Sequence, residues 1–377
     1  MNDEYAMWME ERGFKVIPEV ELSTRSVSGL GVVSNNHITA GTVVATIPAS
    51  SILTYRNTTI KHIIEDRIDV LLNDSSGDWV PLALALLFEL HYSPNSQWEP
   101  YLATLPAPTT KWLPFHWSED EIETLSGTDL LGDIRDNQQR MDAAFVELVQ
   151  PFTAAHTDFF PRPVTLTMFR HVCHVLMSYS FQHGAWGTVL PPFVSAFNHR
   201  PSGHTVSLVQ TGNSYQIVTD TTISPGEELW LSYGDLDTPN LLLKYGFVPH
   251  DPVPREVVRV AGGLLVEVCP AVEDIDPDFI AGFLDVEKGV PLTDIDLPIN
   301  YHPASRVIEA DEILVLVSSA IGLSDEPVWP PAELSVRQAC IDLVSRRLGL
   351  LGEPRGKGAP IVRCERTVLE NALQQLG

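Results

Sequence analysis

The chain has 377 residues, of which 44% are hydrophobic and 19% charged, the balance of a folded protein with room for more than one packed unit, not of a disordered one. Aspartate and glutamate outnumber lysine and arginine by 49 to 24, for a formal charge of -25, and no basic block interrupts that excess. The basic footprint that neutralises phosphates is missing, which argues against direct nucleic-acid binding; the expected partner is a basic protein or peptide, with a small molecule as the alternative.

The opening segment MNDEYAMWMEERGF is acidic and lacks a basic stretch followed by an apolar core, so it is not read as a secretory signal. The longest apolar run, VPLALALLF at 80–88, falls far short of the roughly 20 residues of a membrane span, and no membrane association is expected. Cys173, Cys269, Cys340 and Cys364 are scattered, with no Cys-x-x-Cys and no clustering with histidine. Buried free thiols are expected in place of a zinc site, in a cytoplasmic or nuclear protein.

In chain order, SGLGVVSNNHITAGTVVATIP at 28–48 sets the β-branched pairs Val32-Val33 and Val43-Val44 among glycines at 29, 31 and 41, which predicts short strands separated by turns. From about 58 to 175 the character turns helical. PLALALLFELHY places Ala83, Leu86, Leu87 and Leu90 at helical spacing, and SEDEIETL presents Ser118 as a cap with Glu121 three residues on. Further helices are predicted over 134–149 and 167–181. Strands return after Pro191: HTVSLVQTGNSYQIVTD reads as a hairpin turning at Gly212-Asn213, and SPGEELWLSYG as a turn at 224–226 and a strand ending at Tyr233. Beyond about 255 the pattern is mostly helical. AELSVRQACIDLVSRRLGLL carries Val336, Ala339, Cys340, Leu343, Val344 and Leu348 at helical spacing, and 350–362, rich in glycine and proline, predicts a loop before a last short helix.

The stretch PPFVSAFNHRPSGH at 191–204 sets an apolar approach against Asn198-His199 and a Pro-Ser-Gly turn. An Asn-His pair here can be an ordinary turn, half of a metal site or the floor of a cofactor pocket. A metal finds little support, because His204 is five residues on and no carboxylate lies between.

Taken in order, MWMEERG, Gly29-Leu30-Gly31 with ITAGTVVATIP, PLALALLFELHYSPNSQWEPYLATLP, PFHWSEDEIETLSGTDLL, Asn198-His199, GEELWLSYG and LLLKYGFV resemble the pattern of SET-domain methyltransferases, and among them the Rubisco large-subunit methyltransferase group. The likeness runs from residue 5 to 250 and more loosely through the C-terminal helices. It implies an α+β protein: a β-rich SET core at 1–57 and 176–254, a helical lobe inserted at 58–175, and a mostly helical domain at 255–377 that helps hold a protein substrate. It also implies S-adenosylmethionine as cofactor, with its methyl passing to a protein side-chain nitrogen, lysine foremost, by an in-line displacement governed by alignment and desolvation.

Carried onto this chain, the resemblance assigns Ser28, Gly29, Leu30, Gly31, Asn198 and His199 to the cofactor and Tyr233 to the catalytic tyrosine. Ser178, Tyr179, Phe181, Ser195, Tyr245 and Phe247 fall at the substrate channel, and no metal is implied. Three positions depart from the family pattern. A Ser-Arg near the end of the preceding helix reads Ser178-Tyr179, an Asp three residues before the Asn reads Ser195, and a hairpin tyrosine reads Val206. A guanidinium, a carboxylate and a phenol are thereby lost, with Arg200 as a nearby replacement for the positive charge. These changes leave two other readings open: a SET scaffold turned to small-molecule methylation or to a non-methylating reaction such as a cyclisation, and a catalytically silent binding module.

Overall fold

The structure is a computed structural model that describes residues 3–26, 29–72, 78–212, 214–321 and 329–377. It divides into two compact units, Met1–Leu113 with Arg135–Gly234, and Pro114–Ile134 with Asp235–Gly377. The boundaries read from the sequence at 57, 175 and 254 follow changes of local character, whereas the units follow packing. Most of the helical lobe therefore belongs with the strands of the first unit, and 114–134 belongs to the second. Among the described residues no helix is long and apolar enough to cross a membrane.

The first unit is organised by a six-stranded sheet in the order Lys15–Val16, Val43–Pro48, Ser214–Thr219, Val206–Thr211, Trp230–Leu231, Asn198–His199. The first four strands are antiparallel neighbours. The last two join in parallel, Leu231 opposite Val206 on one side and Trp230 and Leu231 opposite Asn198 and His199 on the other. The predicted hairpin is present, with Thr211 opposite Ser214; Asn213 of its predicted turn lies outside the described residues. The strand predicted to reach Tyr233 stops at Leu231, because the Tyr233 N–H donates to the His199 side chain instead of a neighbouring strand.

A second hairpin, Val20–Ser26 with Gly29–Ser34, lies beside this arrangement. Its later strand is crossed by 227–229: Leu229 N–H donates to the Val32 carbonyl and Ser34 N–H to the Glu227 carbonyl, each at 2.8 Å. Three stretches remote in sequence, 29–34, 198–199 and 227–231, are thus knitted side by side.

The helix Val80–His91 is buried on all sides from Val80 to Glu89, more completely than its spacing alone suggests, as befits a central core helix. Glu89 is kept inside by the Ser96 hydroxyl at 2.5 Å. The helix predicted over 134–149 begins earlier, as Asp129–Ala144, widens into a π turn at Phe145–Val149 and resumes as Gln150–Ala155. Pro151 accounts for the widening, since it has no N–H to donate and its ring crowds the carbonyl one turn back. The helix predicted over 167–181 runs Leu166–Tyr179, and Phe181 opens a short strand, Phe181–His183, paired with Gly187–Val189.

In the second unit the described part of 255–377 is mostly helical, as expected, but two details differ. It also holds a three-stranded antiparallel sheet, Glu256–Ala261, Asp296–His302 and Val307–Glu309, which was not foreseen. The strands are short and far apart, and Pro298 sits inside one of them, so the period of two was obscured. Its last helix, Ala359–Leu376, is long, not short. Pro360 occupies its first turn, where a missing N–H costs nothing, so the proline opens the helix instead of marking a loop. The reciprocal cap of Ser118 and Glu121 and the helix Leu334–Gly349 are as predicted. Val258, Val260, Leu297 and Ile299 of the sheet share one core with Leu316, Val336, Leu343 and Val368, while Leu125, Leu130 and Ile134 share another with Leu242, Leu243 and Ile361.

Within this unit Arg347 is 4% exposed. Its guanidinium donates to the carbonyls of Arg259 (2.8 Å) and Gly127 (3.0 Å) and to the carboxylates of Asp129 and Glu365 (both 2.8 Å). Gly127 has φ +79, and a Cβ there would lie 1.9 Å from the Leu350 carbonyl oxygen, so only glycine presents its carbonyl to Arg347 in this way.

Candidate functional site

The site grows from the three knitted stretches of the first unit. Gly29 takes φ +100 at the start of its strand, a conformation that other residues rarely adopt. The next residue, Leu30, is exposed and turns its carbonyl to Asn198, whose Nδ2 donates to it at 3.0 Å. The same nitrogen donates to Glu228 Oε1 at 2.6 Å. Gly31 is buried in the hairpin opposite Ser23. Ser28, assigned to the cofactor from the sequence, lies outside the described residues.

His199 is buried, and its Nδ1 accepts the Tyr233 N–H at 3.0 Å, which places the ring hydrogen on Nε2 in the neutral tautomer. Burial pushes its pKa down to about 4, against the pull of the Leu231 backbone, so the ring is uncharged at neutral pH. Its ring also stacks on Tyr233, with centroids 5.0 Å apart and planes 27° apart. The Tyr233 hydroxyl donates to the Phe197 carbonyl at 2.7 Å. An Nδ1 engaged in this way does not ligate a metal. Among the described residues no group of three or more His, Cys, Asp or Glu is arranged to hold one.

The apolar approach to Asn198 is strained at one place. Phe193 is 1% exposed and has φ 68 and ψ -41, close to a γ turn and rare for a residue with a side chain. Its N–H is held by the Tyr5 hydroxyl at 2.9 Å, from the helix Asp3–Glu11. Phe193 packs edge-on against Phe197, at 5.4 Å and 88°.

The predicted channel residues divide between the units. Ser178 and Tyr179 end the helix Leu166–Tyr179, where the Ser178 hydroxyl accepts the Trp112 indole N–H at 3.0 Å and burial raises the Tyr179 phenol. Phe181 follows as a half-buried strand residue. Ser195 lies in the single turn Val194–Ala196. Beside it is the fully buried Tyr101 hydroxyl, raised far above its ordinary range by burial, without the geometry of a well-formed hydrogen bond. Val206, at the family's tyrosine position, is completely buried at the start of its strand. Arg200 is exposed and sets its guanidinium 5.7 Å from the Trp230 ring. Tyr245 and Phe247 belong to the second unit: Tyr245 ends the helix Thr238–Tyr245, their rings are 6.5 Å apart, and burial pushes the Tyr245 phenol up to about 12.

Glu228, Tyr5 and Tyr101 were not singled out from the sequence. Only Glu228 carried a local signal, as an acid between a turn and the apolar run Leu229, Trp230, Leu231. Its target, however, is fixed by the parallel pairing of Trp230 with Asn198, which no short-range pattern reveals.

A SET domain family model matches residues 29–234. Among curated proteins, the chain is similar to the N-lysine methyltransferase setd6 of Xenopus laevis, 30% identical over 273 residues that cover 68% of this chain and 59% of the relative. It is also similar to the N-lysine methyltransferase SETD6 of Mus musculus, 28% identical over 276 residues, 70% of this chain and 57% of the relative. The chain thus spans about three fifths of the length of the curated relatives it matches. Among solved structures, the SET domain of LSMT bound to lysine and AdoHcy aligns with a TM-score of 0.71 over 99% of this chain and 90% of that one, at 17% identity. Rubisco LSMT bound to AdoMet aligns with a TM-score of 0.68 at the same coverage and identity. At that identity the likeness is one of fold.

Proposed function

The chain belongs to the SET-domain family, and we propose that it is an S-adenosylmethionine-dependent N-methyltransferase that modifies a lysine side chain of a protein. The observation that carries this reading is the convergence of Leu30, Phe197, Asn198, His199, Glu228 and Tyr233, drawn from three remote stretches, through four short polar contacts and one ring stack. The curated relatives are named for lysine N-methylation, and the solved relatives hold AdoMet, AdoHcy or lysine; both support the reading.

The residues present fit that cofactor. The exposed backbone at Gly29 and Leu30 gives a ligand access to the main chain, and Asn198 adds a carboxamide. The neutral His199 ring does not repel a cationic ligand. When bound, S-adenosylmethionine supplies an electrophilic methyl group on a positively charged sulfur.

The chain's own groups supply alignment. A phenol has one proton and two lone pairs, so Tyr233, its proton spent on Phe197, acts toward any other partner as an acceptor, suited to an amine N–H or a polarised C–H. The buried rings of Phe193 and Phe197 keep water from the Phe197 carbonyl. Serine at 195 bears on the nucleophile. A carboxylate holds a neighbouring ammonium in its charged form, and without one at 195 a lysine entering an apolar channel gives up its proton more readily.

The formal charge of -25 favours basic segments as substrates, and four free thiols support a reducing compartment, cytoplasm or nucleus. The test is incubation with methyl-labelled S-adenosylmethionine and a panel of basic proteins, with the modified residue located by mass spectrometry. Methyl-lysine that disappears with Tyr233→Phe is expected. Label confined to small molecules would replace this reading with small-molecule methylation, and no label at all would remove both.

A further inference from the structure

Asn198 Nδ2 has two hydrogens, and the structure shows two partners for them, the Leu30 carbonyl at 3.0 Å and Glu228 Oε1 at 2.6 Å. Both partners only accept. Rotating the amide by half a turn would set Asn198 Oδ1 against a carbonyl oxygen and a carboxylate at once, so its orientation is locked. Whatever else Asn198 recognises, it recognises as an acceptor.

Glu228 is itself held in place to impose this. Its backbone forms a bridge with Val33, and the neighbouring Leu229 N–H and Glu227 carbonyl pair with Val32 and Ser34. Trp230, two residues on, pairs directly with Asn198. The carboxylate reaches Asn198 from backbone fixed by the bridge to Val33, and a carboxylate acceptor at 2.6 Å makes a stronger bond than a neutral one.

We infer that Glu228 is a positioning residue for the cofactor. It locks the Asn198 carboxamide so that Oδ1 accepts from an N–H of S-adenosylmethionine, either its α-ammonium or its adenine amino group. The inference rests on reading this site as the cofactor pocket. Glu228 acts here through Asn198, so its loss lowers cofactor affinity and leaves the methyl-transfer step itself intact.

The experiment compares the full chain with Glu228→Ala and Glu228→Gln, in two arms. In the free protein, solvent exchange of the ¹⁵N-labelled Asn198 side-chain amide is followed by NMR. Exchange is expected to quicken about tenfold in the alanine variant and to stay near wild type in the glutamine variant, which keeps an acceptor oxygen. In the second arm AdoHcy is titrated by calorimetry and turnover is measured at saturating cofactor. Affinity should fall about tenfold or more for alanine and within about threefold for glutamine, with kcat within about twofold in both. A parallel titration with methylthioadenosine locates the donor: a loss there too assigns the adenine amino group, and a loss with AdoHcy alone assigns the α-ammonium. Unchanged exchange and affinity in Glu228→Ala, or a glutamine variant as weak as alanine, would overturn the inference. If wild type does not bind AdoHcy while amide exchange still follows the variants, the cofactor reading fails and the lock itself stands.

Discussion

In the first unit, the polar groups around Asn198 are joined mostly as neutral partners: a carboxamide to a carbonyl, an imidazole to a backbone N–H, a phenol to a carbonyl, with Glu228 as the single charge among them. In the second unit, Arg347 donates to both Asp129 and Glu365, and the wholly buried Glu365 carboxyl is pushed toward its neutral form by burial and by Asp129. The difference separates a site from an anchor. Neutral groups cost less to desolvate than ions, and a carboxamide or phenol oxygen can accept from a ligand while its own donors stay engaged. The buried Arg347 guanidinium has no such freedom, because taking away its acceptors leaves it charged and poorly solvated. The second unit therefore gains a fixed crossing of the 127–129 stretch with two helices, and the first keeps groups that can still bind.

The sharpest way to break this comparison is Arg347→Leu. It leaves Asp129, Glu365 and the carbonyls of Gly127 and Arg259 without their buried donor and should cost about 3–5 kcal/mol in urea denaturation, far more than any single change at the Asn198 site; a loss below about 1 kcal/mol would mean that the cluster anchors nothing. Next comes Tyr233→Phe, which should cost only about 1 kcal/mol of stability while lowering methyl transfer about a hundredfold. Comparable losses in rate and in folded fraction would make Tyr233 another anchor.

The two units should also respond to pH in opposite directions. Folding lowers the His199 pKa from 6.5 to about 4, chiefly through burial, so its contribution to stability is complete above pH 6.5 and is lost as pH falls toward 4. Folding raises Glu365 from 4.5 to about 8, through burial and the neighbouring Asp129, so its contribution is complete below pH 4.5 and is lost as pH rises through 8. Denaturation midpoints across pH 4 to 8 should lose their acid-side slope in His199→Gln and their alkaline-side slope in Glu365→Gln. Both variants keeping both slopes would refute the assignment. The smallest expected effect is Tyr5→Phe, which leaves the buried Phe193 N–H without its acceptor and should cost about 1–2 kcal/mol by thermal denaturation; an unchanged midpoint would show that the Phe193 turn holds without it.

Much of the first unit could be read from the sequence because its signals are local. The turn glycines at 29 and 31, the hairpin around Gly212 and the Asn198-His199 pair each announce themselves within a few residues. The bond from Asn198 to Glu228 could not be read, since it depends on a two-residue parallel pairing between stretches about thirty residues apart. The sheet of the second unit was missed for a related reason: Glu256–Ala261 finds its partner only at Asp296–His302, beyond intervening helices that dominate the pattern. Pro360 and Gly358, read as loop punctuation, are instead the opening of a long helix.

The central claim is that Asn198, locked by Leu30 and Glu228, belongs to a cofactor pocket. Titrating S-adenosylmethionine into the wild-type chain and into Asn198→Asp tests it most directly, because aspartate sets a carboxylate against both the Leu30 carbonyl and Glu228. Binding by the wild type and a loss of about a hundredfold or more in the variant are predicted. No binding by the wild type, or equal binding by both, would contradict the account.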